Sequence, residues 1–264
     1  MALDRIAALR RTREVTLALC RTLTPEEWAA PSRAAGWSVQ DVVAHMGAIS
    51  HSAVSPGMYK ILTSKNIERS NDVDVEARRR WAPGQVLDEY DKWGGRLVKL
   101  LALGQRRPLA VAPFKLAELG VYPMALIASA ATFDNHTHLR CDIAPALDRP
   151  LPLPERETLA VVNEWALTGL PRMNKTRLSF MDRPVTITLD GPGGGSWTVL
   201  PPAGKKPGRI EPAPGSLPSA AQIIANPAEF AAWASGRTAW RDHDVKITGD
   251  EAYATRFLDA IRLV

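Results

Sequence analysis

Three side chains of this 264-residue chain have the types and the spacing to hold a metal ion. Asp134 and His138 lie four residues apart in "TFDNHTHLRCDI", residues 132–143, so on a helix they project from one face. A carboxylate and an imidazole in that relation can bind one ion from a single helix. His45, in "GWSVQDVVAHMGAI" at residues 36–49, would add a third ligand from another helix. Two histidines and one aspartate leave a further position open, which is the pattern of catalytic rather than structural sites for zinc or a similar divalent ion. The same Asp134–His138 pair could equally be a helix-surface hydrogen bond, and His45 alone reads as a packed core histidine. Spacing by itself leaves both readings standing. His136 precedes His138 by two residues and points roughly the opposite way, so it is expected to stay outside the set.

These residues need helices to position them. Residues 2–22 place Leu3, Ile6, Leu9, Val15, Leu17 and Leu19 roughly on one side, a helical period. "TPEEW" at 24–28 carries an N-cap Thr24, Pro25 at the first helical position and acids in the first turn. Ser38 caps the helix that bears His45, with Asp41 three residues on as in a capping box. Asp41 lies one turn before His45 and could orient its imidazole; service to the helix N-terminus is the stronger expectation. Trp37 is expected to fill the gap between helices beside His45. A more polar helix is expected over about 83–103, a loop with short structure over 112–124, and a last helix over about 123–142. Four long helices with long connections imply a bundle.

"PALDRPLPLPERE", residues 145–157, packs four prolines into ten residues and marks a linker. Beyond it, strands are expected at Val185–Leu189 and Ser196–Leu200 around a glycine-rich hairpin turn. "GPGGG" lacks the Lys-[Ser/Thr] ending of a phosphate loop. Turn-rich edge structure follows over "KKPGRIEPAPGS", then a strand or turn, a helix over 227–235, a short strand in "DVKITGD" and a terminal helix bearing Tyr253, Phe257 and Ile261. The expected architecture is an all-α four-helix bundle over residues 1–147, followed by a small α+β domain over 148–264.

Apolar residues make up 45% and charged residues 23% of the chain, so a packed globular protein is expected. The net charge is +5, yet no basic run is interleaved with aromatics as a nucleic-acid platform requires. Arg78, Arg79 and Arg80 follow an acidic stretch and read as a solvated helix face. The two cysteines, Cys20 and Cys141, form no disulfide framework and fit a reducing compartment. Cys141 is expected to be a small buried apolar residue. The N-terminus lacks a signal-peptide core, and the longest apolar stretch, 121–133, is too short to span a bilayer. A cytoplasmic protein without nucleic-acid or membrane partners is expected, as a monomer or small homo-oligomer.

"GWSVQDVVAHMGAI" resembles the Gly-Trp-[Ser/Thr]-Val-x-Asp-Val-Val-x-His signature of the mycothiol-dependent maleylpyruvate isomerase family, within the DinB-like superfamily. That resemblance implies a four-helix bundle holding a divalent metal, typically zinc, with ligands mapping to His45, Asp134 and His138. The family's acidic ligand is typically Glu; Asp134 is one methylene shorter. "HLRCDI" resembles the family's His-x-x-Asp-[Ile/Leu] ending, with Asp142 displaced by one residue. "DGPGGGSWTV", "NPAEFAAWASGR" and "VKITGD" resemble the sterol-carrier-like C-terminal domain common in the family, whose arginine after the Trp-containing helix maps to Arg237. The resemblance implies mycothiol as thiol cosubstrate, isomerisation or S-transfer on a small carboxylated or electrophilic substrate, and Arg237 as a clamp on a substrate carboxylate. A metal-dependent hydrolase on the same scaffold, or a non-catalytic metal- or ligand-binding protein, would use the same residues.

Overall fold

The computed structural model describes residues 3–204, 206–213 and 218–263. The chain divides into two units between Pro152 and Leu153, within the proline-rich segment.

The N-terminal unit is helical. Helix α1 (Arg5–Cys20) is capped by Asp4, whose side chain accepts from the Ala7 N–H. The short α2 (Pro25–Ala29) and the His45-bearing α3 (Val39–Ala53) both start with capping boxes, Thr24 with Glu27 and Ser38 with Asp41. Such boxes satisfy two orphan backbone donors reciprocally. Asp41 therefore serves the helix start: its Oδ2 accepts from the Ser38 N–H at 2.9 Å. Then come α4 (Met58–Thr63), α5 (Ile67–Glu76), α6 (Pro83–Gly104) and α7 (Ile127–Thr137). Helix α3 packs on α6, and α1 on α6 and α7. One core cluster joins Leu17, Val39, Val42, Val43, Met46, Val86, Tyr90, Leu139 and Ile143. A second is formed by Ile6, Leu9, Leu97, Val98, Leu101 and Ala128 of α1, α6 and α7.

Three features depart from the sequence expectations. The 112–124 segment is an antiparallel hairpin, β1 (Pro113–Leu116) with β2 (Gly120–Pro123), whose Tyr122 is buried. The helix expected over 123–142 is three pieces: a 3₁₀ turn at Met124–Leu126, α7, and a π-helical turn at His138–Ile143. Arg78 is not on a solvated face. Its guanidinium grips the buried Glu89 of α6 through Nε at 2.5 Å and Nη2 at 2.8 Å. His51 of α3 also donates to it, Nδ1 to Oε1 at 2.9 Å.

The C-terminal unit is α+β. Helix α8 (Arg156–Met173) precedes a five-stranded sheet ordered β5-β4-β3-β6-β7. Its strands are β3 (Val185–Leu189), β4 (Gly195–Leu200), β5 (Arg209–Pro212), β6 (Ala221–Ala225) and β7 (Lys246–Gly249). The central β3 pairs antiparallel with β4 and parallel with β6. Val185, Ile187 and Leu189 are buried in the middle of the sheet. The β3–β4 connection is the glycine hairpin, and Gly193 is obligatory there. It has φ +79°, and a Cβ would lie 2.6 Å from the Arg156 carbonyl oxygen. The stretch expected to be turn-rich edge structure contains β5, a strand at the edge of the sheet; Lys205 and residues 214–217 within that region lie outside the described residues. Helix α9 (Pro227–Ala234) follows β6, and α10 (Glu251–Ala260) follows β7. Among the described residues no helix is long and apolar enough to cross a membrane.

Candidate metal centre

His45 comes from the middle of α3, Asp134 from α7 and His138 from the first position of the π turn. One donor atom from each lies within 4.8 Å of the others. Asp134 Oδ1 is 3.6 Å from His45 Nε2 and 3.6 Å from His138 Nε2. Those separations are too long for hydrogen bonds. They suit a shared ion: ligand atoms about 2.1 Å from a tetrahedral centre stand roughly 3.4 Å apart. Aspartate thus reaches the common centre despite its shorter side chain. His45 is almost fully buried, whereas Asp134 is about one-third exposed, so the carboxylate side is the one open to solvent. Burial pushes the His45 imidazole below its ordinary pKa, against the opposing pull of Asp134. The neutral imidazole that results is the form that ligates.

Asp142 is the residue that sequence reasoning undervalued. It is fully buried, and its Oδ2 accepts from His138 Nδ1 at 2.8 Å. A carboxylate on Nδ1 fixes that nitrogen as N–H and leaves the Nε2 lone pair facing Asp134. The signal was its spacing, four residues after His138 where the family resemblance has three. A π turn holds one extra residue relative to an α turn, and it takes up that displacement. The turn also leaves the Asp142 carbonyl to accept from the Arg33 N–H at 3.0 Å. That bond ties the 30–38 loop to the site.

This loop carries Trp37. Gly36 adopts φ +80°, a conformation that costs other residues about 1 kcal/mol or more. The turn swings the indole against both histidines, 5.1 Å from the His45 ring and 6.4 Å from that of His138. Its Nε1 donates to Asp72 at 3.2 Å. Trp37 therefore walls the donor cluster, as well as filling the gap between helices.

His136 does not join the set. It is buried on its own, and burial pushes its pKa down to about 3. Cys141, within the π turn, is half-buried rather than buried. Cys20 is enclosed, and burial pushes its thiol up to about 12. Such a thiol is protonated at neutral pH and inert. Native protein treated with an aromatic disulfide reagent is expected to keep Cys20 unmodified, while unfolded protein reports both cysteines; modification of native Cys20 within minutes would contradict this burial. Arg237 lies in the C-terminal unit, just beyond α9, where its backbone N–H donates to the Ala232 carbonyl at 2.9 Å.

The sequence model described as "Mycothiol maleylpyruvate isomerase N-terminal domain" matches residues 9–113. The match includes Trp37 and His45 and ends before Asp134 and His138. Two solved structures share the fold. One is titled as the crystal structure of the mycothiol-dependent maleylpyruvate isomerase, with 13% identity, TM-score 0.56, and coverage of 93% of this chain and 92% of that one. The other is a histidine-to-alanine mutant of that enzyme, with 13% identity, TM-score 0.53 and the same coverage. No curated protein matches the chain. Over residues 9–113, the chain is similar to the family described as the mycothiol maleylpyruvate isomerase N-terminal domain.

Proposed function

We propose that the protein is an enzyme that uses a divalent ion, zinc by its donor set, to activate mycothiol for isomerisation or S-transfer on a small carboxylated or electrophilic substrate. The observation that carries this reading is the convergence of two imidazole nitrogens and one carboxylate oxygen at 3.6 Å spacings on the solvent side of a buried histidine. Two nitrogens and one oxygen with an open position match catalytic zinc sites. The ion would lower the pKa of a thiol brought to that position, supplying a thiolate at neutral pH.

The chain's own residues divide the remaining work. His45, Asp134 and His138 hold the centre. Asp142 keeps the His138 proton on Nδ1, and Trp37 covers the histidines on one side. A thiolate that adds to a cis double bond creates a single bond about which the product can rotate. Its departure then restores the double bond in the trans form. In S-transfer the thiol stays on the product. Arg237 would hold a substrate carboxylate, a task its planar fork suits.

The test is direct. Zinc-loaded protein with mycothiol should convert maleylpyruvate to its trans isomer, and omission of either the thiol or zinc should stop the conversion. Arg237→Ala should raise KM at least about tenfold, the loss of a charge-assisted bidentate contact. Turnover that survives without thiol would replace this reading with metal-dependent hydrolysis or another reaction.

Asp142→Asn separates the supporting carboxylate from the ligands. It is expected to weaken zinc binding about 10–100-fold, the usual consequence of losing an outer partner of a ligating histidine. Competition with a chromogenic chelator measures it, and an unchanged affinity would remove Asp142 from the site.

A further inference from the structure

The C-terminal unit holds a second ordered group of side chains with the geometry of chemistry. Glu229 sits in the first turn of α9, and Thr238 lies in the segment just beyond that helix. His243 follows the 3₁₀ turn Trp240–Asp242. His243 Nδ1 is 3.0 Å from Glu229 Oε2, and its Nε2 is 2.8 Å from Thr238 Oγ1. An ionised carboxylate can only accept, so Nδ1 carries the proton of the neutral imidazole. Nε2 is then a lone-pair acceptor, and the hydroxyl of Thr238 must be the donor. Hydroxyl to imidazole to carboxylate, each within hydrogen-bond reach, is the signature of a base-activated nucleophile.

The base is also held firmly. The His243 N–H donates to the Trp240 carbonyl at 3.3 Å. Trp240 Nε1 and the Arg241 guanidinium both bind Asp259 of α10, at 2.8 Å and at 2.6 and 3.0 Å. The imidazole side chain is 17% exposed and Glu229 40% exposed. The group is therefore ordered, yet within reach of a small reagent.

We infer that Thr238, His243 and Glu229 form an acyl-accepting site for small activated carboxylic esters, separate from the chemistry proposed for the bundle. Thr238 Oγ1 attacks the ester carbonyl and forms a new C–O bond. Its proton passes to His243 Nε2. The bond to the leaving alkoxide or phenolate breaks, and that group departs with the electron pair and takes the proton from His243 Nε2. Water then attacks the acyl-threonine while His243 Nε2 takes one of its protons; the acyl C–O bond to Thr238 Oγ1 breaks, the imidazole returns that proton to Oγ1, and the carboxylic acid is released. A group that only ties the α9 segment together would show none of this.

The experiment uses the full chain with p-nitrophenyl acetate, without zinc or thiol. Expected are a burst of nitrophenolate approaching one per chain and an acetyl group located on Thr238 by peptide mass after acid quench. Thr238→Val should abolish that adduct. His243→Gln should slow its formation roughly 100-fold, the scale of lost general-base catalysis. Thr238→Ser keeps the nucleophile and should still be acetylated, which holds the test if another variant misfolds. Acetyl groups only on lysines or Cys141, or on Thr238 at an equal rate in folded His243→Gln, would overturn the inference. Because neither zinc nor mycothiol is present, failure here is distinct from failure of the isomerase assay.

Discussion

His45→Ala is expected to cost the protein its divalent ion. Supplied with zinc and then dialysed, wild-type protein should retain about one ion per chain and the variant less than roughly a tenth of that, for a site of three protein ligands. The reason is geometric. His45 is the only member of the triplet on α3; Asp134 and His138 belong to the continuous α7 and π-turn segment. Without His45 the pair left behind is an i,i+4 arrangement on one helical segment, and the described residues supply no other third donor to that cluster. Zinc should also raise the melting temperature of wild type, since an ion present at 1,000 times its dissociation constant stabilises by about 4 kcal/mol. The variant should show almost no rise. Equal zinc responses in the two proteins would remove His45 as a ligand and, with it, the proposed chemistry of the bundle.

The second large effect belongs to stability. Glu89 of α6 is buried, with Arg78 in a two-point grip and His51 of α3 bound to the same carboxylate. His51 in turn stacks on Trp93, ring centroids 4.0 Å apart and nearly parallel. Glu89→Gln removes the charge and leaves the mostly buried guanidinium of Arg78 without its counter-ion. Breaking such a pair from one side costs about 3 kcal/mol or more. Burial pushes the Glu89 carboxyl up, but the hydrogen bonds from Arg78 and His51 outweigh it, and the pKa lies below the ordinary value. A carboxyl depressed in the folded state contributes stability that is complete above its unfolded pKa and is lost as pH falls through the folded one. The wild type should therefore lose part of this advantage on acidification below about pH 4.5, and Glu89→Gln should lose less over the same interval. Urea denaturation at pH 7 and pH 4, with chelator present, measures both. A variant within 0.5 kcal/mol of wild type at pH 7, the range of ordinary surface substitutions, would show that the network contributes little.

Glu89 also shows where sequence reading stops. Arg78 stands in a run of three arginines after acidic residues, and local rules assign such a run to water. Its partner is 11 residues away on α6, and His51 reaches the same carboxylate from 38 residues before it. The 112–124 hairpin escaped for a related reason. Its strands are only four residues each, too short to display a period, and they exist because they pair with each other.

What the sequence determined by itself is what a single helical turn or a single hairpin decides. Thr24 with Glu27 and Ser38 with Asp41 fix two helix starts, because each box closes over three residues. The glycine loop after Leu189 turns one strand onto the next, because its neighbours are already antiparallel partners. Asp134 and His138 share a face by periodicity alone. Only the tertiary structure decided that His45 comes within 3.6 Å of Asp134 and joins His138 in one cluster, since that depends on how the bundle core holds α3 against the segment that follows α7. Only it showed that a π turn brings Asp142 onto His138, or that residues 229, 238 and 243 line up in one chain of hydrogen bonds. Local propensity reaches about one turn along the backbone. Which side chain finds which partner beyond that distance is set by the packing of apolar faces, and the polar contacts follow from where that packing leaves them.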